Sequence, residues 1–400
     1  MVVAGFRFSA VAAGIKKKGG LDVALLVADR AVPVAGVFTR NIVRAAPVLV
    51  AEKRILNGPV RAVLVNAGNA NAFTGEAGMK ATIDSTRSIA KALGCAEGEV
   101  VSCSTGVIGQ VLPAEKIEAH ATELVSSASP SGLETFADAI LTTDRFRKVS
   151  EVTVEQAGAT VHFTGVCKGA GMIHPDLGGA GKLPQPAGPP HATMLAFIVT
   201  DAVADAELLQ RCLERATEST FNTVSVDGDT STNDTVLLLA SGRSEVKLDE
   251  EALTAALIQV CRPLARAMVQ DGEGAEHVID IRVEGLPTME DARLIAKTIA
   301  TSPLVKTAFA GKDSNWGRLI AAAGRAGVSF DPSRATISIA GYKLFDAGVA
   351  HPELDALATE KMKGPAYEVV LNLGAGPGTF TYTTCDLGHT YIDINAGYRS

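Results

Sequence analysis

Short apolar runs alternate with longer amphipathic runs along most of this chain. The apolar runs are rich in Val, Ile and Leu, as strands are, and polar or turn-forming residues bound them. The amphipathic runs carry apolar side chains at helical spacing, so each has one face that must be buried. Helices and sheets that alternate in this way bury those faces against each other. The pattern therefore predicts an α/β (α+β) fold, a layered sandwich of sheets covered by helices.

The same pattern predicts where the individual elements lie. Helices are predicted at 79–93, 114–126, 206–219, 250–269 and 289–299. Strands are predicted at 22–28, 60–65, 152–154, 161–163, 194–199, 235–239, 277–283, 335–339 and 367–373. Turn-forming residues at 155–158 and 374–378 each separate two alternating runs, which predicts two antiparallel hairpins.

The chain is acidic, with a formal net charge of −7 and a sequence pI of about 5.6. A nucleic-acid surface needs a basic stripe to neutralise phosphates, so we expect no nucleic-acid partner. The six cysteines lack CxxC spacing and HExxH is absent, so no metal site is predicted. The apolar start is too short for a signal peptide, and we expect no run long enough to span a bilayer. These observations predict a cytoplasmic protein without a membrane partner.

Residues 169–190 differ from the rest of the chain because they are rich in Gly and Pro. Such a segment buries little surface, so we expect an exposed loop that ends at the apolar strand beginning near Thr193. Part of it, 178–182, resembles a phosphate-binding loop. The match fails because Asp176 stands where the first Gly belongs and Leu183 where Ser or Thr should hold magnesium. No cofactor is predicted.

Several short motifs occur in order from Gly5-Phe6 to the last residue, and together they resemble the ornithine acetyltransferase (glutamate N-acetyltransferase) family. One such motif would be weak evidence, whereas an ordered series that covers essentially the whole chain is specific. The motifs are STGVIG at 104–109, TTD at 142–144, KGAGMI at 168–173, ATMLAF at 192–197, NT and SVDGDTSTND within 222–234, DGEG at 271–274, SNWGR at 314–318 and NAGYRS at 395–400.

The resemblance implies an enzyme that cuts its own chain before a threonine, here between Ala192 and Thr193. The products would be an α chain, 1–192, and a β chain, 193–400. The implied fold is a layered α/β sandwich similar to the N-terminal-nucleophile hydrolases, and family members typically assemble αβ pairs into larger oligomers. The implied reaction, in arginine biosynthesis, moves an acetyl group from N-acetylornithine to glutamate through an acetyl-threonine. Some members also accept acetyl-CoA, and the sequence does not distinguish the two kinds.

The resemblance also assigns roles to individual residues. A threonine hydroxyl needs a base to take its proton, and cleavage would free the α-amine of Thr193, whose unperturbed pKa is roughly 7.7–8.0. By resemblance, Thr105 and Gly106 form the oxyanion hole. Lys168 would pair with a substrate carboxylate, and Glu273 with the cationic amine of ornithine. The full set that the resemblance assigns to substrate binding is Thr142 or Thr143, Lys168, Glu273, Asn395 and Ser400.

One departure from the family concerns the cleavage site. Family members have a short link between the proline that matches Pro175 and the Ala-Thr pair, whereas here residues 176–191 intervene. This loop could relax the strained peptide that self-cleavage requires, or bulge outward and leave that peptide intact. Two other hypotheses stay open: an amidase or aminopeptidase on a similar scaffold, in which water takes the acyl group, and an uncleaved, inactive paralogue.

Overall fold

The computed structural model describes residues 2–156, 158–181 and 193–397. Packing divides the chain into two compact units. The first consists of Met1–Asn222 with Asp229–Met268, and the second of Thr223–Gly228 with Val269–Ser400. These units are not the predicted α and β chains. The units are defined by packing, whereas the two chains would be defined by a cut in the backbone.

The predicted helices and strands are all present in the described residues, with bounds that differ by a few residues. The helices are α1 (Ala46–Asn57), α2 (Gly75–Leu93), α3 (Ala114–Ser126), α4 (Leu133–Ile140), α5 (Ala206–Glu218), α6 (Glu250–Gln270), α7 (Met289–Ala300), α8 (Pro303–Ala310), α9 (Trp316–Gly324), α10 (Asp355–Met362) and α11 (His389–Ala396). The strands are β1 (Phe6–Val11), β2 (Val23–Val32), β3 (Val34–Thr39), β4 (Val60–Asn69), β5 (Val100–Val107), β6 (Lys148–Gln156), β7 (Ala159–Lys168), β8 (Leu177–Gly179), β9 (Leu195–Thr200), β10 (Val224–Ser225), β11 (Thr235–Ala240), β12 (Val278–Gly285), β13 (Thr336–Ile339), β14 (Tyr342–Asp346), β15 (Val349–Ala350), β16 (Ala366–Asn372) and β17 (Gly376–Cys385).

The first unit is a layered sandwich. One sheet has the strand order β1-β2-β4-β5, and the other has the order β6-β7-β9-β11-β3-β8. Helices α2 and α3 share a core with one face of the first sheet. Its other face shares a core with the second sheet, together with α1 and α4. On the second sheet, α5 packs against β3, and α6 packs against β7. The predicted sandwich of sheets covered by helices is therefore confirmed.

The sequence was expected to contain no apolar run long enough to span a bilayer, but helix α6 is one by length and composition. In the structure, 56% of its most apolar stretch is buried, and Val260 and Leu264 pack against Gly165 of β7. Its apolar composition is explained by this packing, because a helix against a sheet buries most of its apolar side chains.

The second unit is built on a seven-stranded sheet with the order β10-β17-β12-β16-β13-β14-β15. Burial alternates along the interior strand β12, where Ile279, Ile281 and Val283 belong to the core. That core also includes Ile295 of α7 and Leu319 of α9. One face of the sheet is thus covered by helices, as the period-2 pattern of β12 predicts.

The two predicted hairpins have different outcomes. Strands β6 and β7 pair antiparallel on either side of 155–158, so the first hairpin is confirmed. The second is wrong, because β16 and β17 lie on opposite sides of β12. The connection between them crosses the end of β12, where a Cβ on Gly376 would lie 2.1 Å from the carbonyl oxygen of Leu286. The glycines there permit close backbone approach, which a sequence cannot distinguish from a tight turn.

The Gly-rich segment is also packed differently from the expected exposed loop. Within its described part, Ala170, Met172 and Ile173 are buried, and residues 177–179 form edge strand β8, which pairs antiparallel with β3. Small side chains allow this backbone to approach its neighbours, and backbone pairing satisfies its polar groups. Residues 182–190 lie outside the described residues.

Candidate active site

The ends of three neighbouring strands bring the candidate residues together in the first unit. Strand β9 runs parallel to β11 and antiparallel to β7, so the end of β7 lies beside the starts of β9 and β11. Lys168 is the last residue of β7, Thr193 precedes β9, and Asp234 precedes β11. This sheet topology therefore places an ammonium, a hydroxyl and a carboxyl group at one edge.

The buried side chain of Lys168 is the centre of this cluster. Its Nζ donates to Thr105 Oγ1 at 3.2 Å, Thr142 Oγ1 at 2.9 Å and the carbonyl oxygen of Thr193 at 2.8 Å. Thr105, Thr142 and Thr193, which all lie in the family motifs, thus contact the ammonium group of Lys168, which also lies in one. Of the two adjacent threonines 142 and 143, Thr142 is the one that contacts Lys168.

Asp144 supports Lys168 from the other side. Its buried carboxylate lies 2.7 Å from Lys148 Nζ and 3.8 Å from Lys168 Nζ, and it accepts a 2.6 Å hydrogen bond from the amide of Gly169. Burial alone would raise the pKa of Asp144, but the charges of Lys168 and Lys148 and these hydrogen bonds lower that pKa to about 2. Asp144 is therefore ionised at neutral pH and fixes the end of β7.

The hydroxyl of Thr193 is buried beside another hydroxyl. Thr193 Oγ1 lies 2.8 Å from Ser231 Oγ, and Thr193 is 2% exposed. Asp234 accepts hydrogen bonds from the amides of Met194 at 2.8 Å and Ser231 at 3.3 Å. Burial raises the pKa of Asp234 to about 7, although the amides of Met194 and Ser231 oppose this rise. This arrangement holds the nucleophile candidate in one position.

Thr105 and Gly106 lie near the end of β5, which pairs parallel with β4. The register shifts at Gly68, opposite Gly106. Gly106 has a φ of +131°, and a Cβ there would lie 2.3 Å from the carbonyl carbon of Gly68. Only glycine fits this conformation and this space, so the backbone after Thr105, at the end of β5, has a fixed path.

Two further candidates belong to the second unit and meet there. Glu273 is buried, and its Oε2 accepts a 2.8 Å hydrogen bond from Nδ2 of Asn395 on helix α11. The amide thus orients a buried carboxylate. The remaining candidates, Ala192 of the predicted cleavage site and Ser400, lie outside the described residues.

The sequence features typical of phosphate and metal sites have other structural roles in this protein. Gly178 and Gly179, part of the apparent phosphate loop, belong to strand β8 rather than to a loop before a helix. Among the described residues, one group of side chains has the spacing of metal ligands: Glu276, His277 and Asp386. Glu276 pairs with Lys312 at 2.6 Å, and Asp386 accepts hydrogen bonds from two backbone amides. These protein partners account for both carboxylates.

Sequence reasoning missed three residues of the site: Asp144, Ser231 and Asp234. All three lie within motifs that carried the family resemblance, TTD and SVDGDTSTND, but no role was assigned to them. The available signal was the concentration of hydroxyl and carboxyl groups directly before the apolar strand β11. Such polar groups are rarely buried without a partner or a task.

A buried threonine hydroxyl, a nearby ammonium and a backbone path that only glycine allows occur together in a layered α/β sandwich. Acyl transfer through a hydroxyl nucleophile needs groups of these kinds.

Comparison with known proteins identifies the family. The ArgJ family model matches residues 7–400. The arginine biosynthesis bifunctional protein ArgJ of Geobacter sulfurreducens is 42% identical to this chain, and the match covers 100% of both. The ArgJ protein of Syntrophotalea carbinolica is 44% identical, and the match covers 100% of this chain and 99% of that protein. The solved structure of ArgJ from Bacillus halodurans is similar at 38% identity and a TM-score of 0.48, covering 50% of this chain and 96% of that one. The chain belongs to the ArgJ family, and it is an acetyltransferase of arginine biosynthesis.

Proposed function

We propose that this enzyme transfers an acetyl group from N-acetylornithine to glutamate through an ester on Thr193, after it has cut its own chain between Ala192 and Thr193. The observation that carries the proposal is the convergence on Lys168. Its buried ammonium donates hydrogen bonds to Thr105, Thr142 and Thr193, three residues that the motifs single out independently.

Cleavage begins with attack of Thr193 Oγ1 on the carbonyl carbon of Ala192. The peptide C–N bond breaks, the nitrogen takes a proton, and the acyl group moves to the oxygen as an ester. Water then hydrolyses this ester and leaves an α chain, 1–192, and a β chain, 193–400. The new α-amine of Thr193 has an unperturbed pKa of roughly 7.7–8.0, so it can act as a base near neutral pH.

In the transfer reaction, the α-amine takes the proton of the Thr193 hydroxyl as its oxygen attacks the acetyl carbonyl. The oxyanion that forms needs hydrogen-bond donors. Thr105 Oγ1 already accepts a hydrogen bond from Lys168, so its own O–H is free to donate, and the amide of Gly106 is the second donor. Ornithine leaves with a proton, and the amine of glutamate then attacks the ester to form N-acetylglutamate.

Substrate recognition is proposed from residue chemistry. Glu273, oriented by Asn395, supplies a buried carboxylate for the ornithine amine. Lys168 supplies the positive charge for a substrate carboxylate, with Thr142 beside it, and Ser400 contributes a hydroxyl. We also propose that the enzyme acts in the cytoplasm and that αβ pairs assemble into a larger oligomer.

The acceptor assay tests this function. The wild-type protein, given N-acetylornithine and glutamate, should form ornithine and N-acetylglutamate in equal amounts. Formation of free acetate alone would instead support the amidase hypothesis. Thr193→Ala should abolish both transfer and cleavage and remain a single species near 41.4 kDa.

A matched control variant is Thr86→Ala. Thr86 is a buried threonine of α2 whose hydroxyl bonds only to carbonyl groups of its own helix, at 3.0 and 3.1 Å. This variant should cleave and transfer like the wild type. Transfer by Thr193→Ala at the rate of Thr86→Ala would contradict the assignment of the nucleophile.

A further inference from the structure

The hydroxyl of Thr193 has a partner that the proposed mechanism does not use. Ser231 Oγ lies 2.8 Å from Thr193 Oγ1, and Ser231 is fully buried. Ser231 Oγ also accepts a 3.0 Å hydrogen bond from the backbone amide of Asn233. That amide occupies one lone pair of the serine oxygen. The remaining lone pair and the hydroxyl proton are then offered to Thr193 from a fixed position.

A single carboxylate holds the two hydroxyls together. One oxygen of Asp234 accepts from the amide of Met194, the residue after Thr193, and the other accepts from the amide of Ser231 itself. Asp234 therefore connects the two backbone segments whose side chains meet. A carboxylate can accept at both oxygens, whereas the isosteric amide of asparagine would place an N–H₂ donor against one of the two amides.

The chemistry of cleavage requires such a contact. Before the chain is cut, the nitrogen of Thr193 is an amide and cannot act as a base or orient the hydroxyl by accepting its proton. The direction of the hydroxyl oxygen must then be set by other groups, and Ser231 is the side chain that contacts it.

We infer that Ser231 is a positioning residue that aims the Thr193 hydroxyl at the acyl carbon, and that Asp234 fixes Ser231 in place. This inference rests on the proposed function. Ser231 forms no covalent bond in either step, and its contribution is orientation in both cleavage and transfer. Misplacing a reacting group raises the barrier to reaction without weakening substrate binding to the same extent.

The test compares Ser231→Ala with Ser85→Ala. Ser85 is also fully buried, but its hydroxyl bonds only to the carbonyl of Ala81 in its own helix, at 2.8 Å. We expect Ser231→Ala to cleave about tenfold more slowly, as followed by intact mass, and to lower kcat about tenfold with KM nearly unchanged. Asp234→Asn should show the same separation of kcat from KM. Ser85→Ala should match the wild type in all three quantities.

Two outcomes would overturn the inference: Ser231→Ala cleaving and turning over as fast as Ser85→Ala, or a rise in KM with kcat unchanged. Thermal unfolding of both serine variants checks that each is folded. If Ser231→Ala is unstable, the kcat and KM of Asp234→Asn test the inference instead. Failure of the proposed function looks different: the wild type would then form free acetate without N-acetylglutamate, or Thr193→Ala would transfer acetyl groups.

Discussion

Asp144 is held in its ionised form by Lys148 and Lys168 at the end of β7. Its pKa in the folded protein is about 2, below the roughly 3.9 expected of an unfolded aspartate. A lowered carboxyl pKa contributes stability above the unfolded value, and that stability is lost as the pH falls through the folded value. The stability of the first unit at low pH therefore depends in part on this ion pair of Asp144 with Lys148 and Lys168.

We predict that this carboxylate contributes about 2–3 kcal/mol to the free energy of unfolding at neutral pH, lost between about pH 5 and pH 2. Chemical denaturation at a series of pH values checks this. Asp144→Asn, although less stable overall, should lack this part of the pH dependence. Asp393→Asn, which changes an exposed carboxyl group, should retain it, and equal slopes for the two variants would refute the prediction.

Gly106 offers a second prediction, because two constraints act on it. Its φ of +131° disfavours any side chain, and a Cβ would lie 2.3 Å from the backbone of Gly68. We expect Gly106→Ala to lower the free energy of unfolding by about 3 kcal/mol or more and to reduce transfer.

Gly109 provides the control for Gly106. It also has a positive φ, +85°, but open space surrounds the position of its Cβ. Gly109→Ala should therefore cost about 1 kcal/mol, measured by the same unfolding experiment. If the two variants lose equal stability, close packing against Gly68 does not constrain the end of β5.

The candidate nucleophile and Lys168 could be predicted from the sequence because short motifs carry them. The contact between Thr193 and Ser231 could not, because it joins residues far apart in the chain through the pairing of β9 with β11. The sequence shows which residue types lie near the ends of the predicted strands. It does not show which of several hydroxyl groups contact each other.

At the level of helices and strands, apolar periodicity predicted the position of elements better than their pairing. The segment 374–378 has the composition of a hairpin turn, yet β12 lies between β16 and β17. The segment 169–181 has the composition of an exposed loop, yet much of it is buried. In both cases glycine serves close backbone packing, and local composition is the same for that use as for a turn.

The crossing at β12 predicts a selective effect of substitution. A Cβ at Gly376 would lie 2.1 Å from the carbonyl oxygen of Leu286, whereas at Gly364 the nearest atom would lie at 3.4 Å. Neither glycine has a positive φ, so left-handed backbone conformation does not distinguish the two positions. Gly376→Ala should cost about 2–3 kcal/mol of unfolding free energy and Gly364→Ala less than about 1 kcal/mol. Similar unfolding transitions for both would rule out a tight crossing.

For the whole molecule, the proposed cut falls within the first unit. The central strands of its larger sheet, β9 and β11, would belong to the β chain. Their neighbours on either side, β7 and β3, would belong to the α chain. Cleavage would therefore leave a continuous sheet whose strands come from both chains, with one shared core.

We predict that the two chains stay together after cleavage. Native mass spectrometry should give a complex that contains both chains, and the same sample under denaturing conditions should give two separate masses. The hydrogen bonds on both sides of β9 and β11 and the shared core are the physical reason. Separation of the chains in native buffer would contradict this account of the sheet.

The acetyl-enzyme is the intermediate on which the whole account depends. In the absence of glutamate, incubation with N-acetylornithine should trap it, and denaturing mass spectrometry with fragmentation locates the modification. We predict a β chain that begins at Thr193 and carries one acetyl group on the side-chain oxygen of Thr193, lost when glutamate is added. An acetyl group on any other residue, or a chain that stays uncut at 41.4 kDa yet transfers acetyl groups, would contradict the central claim.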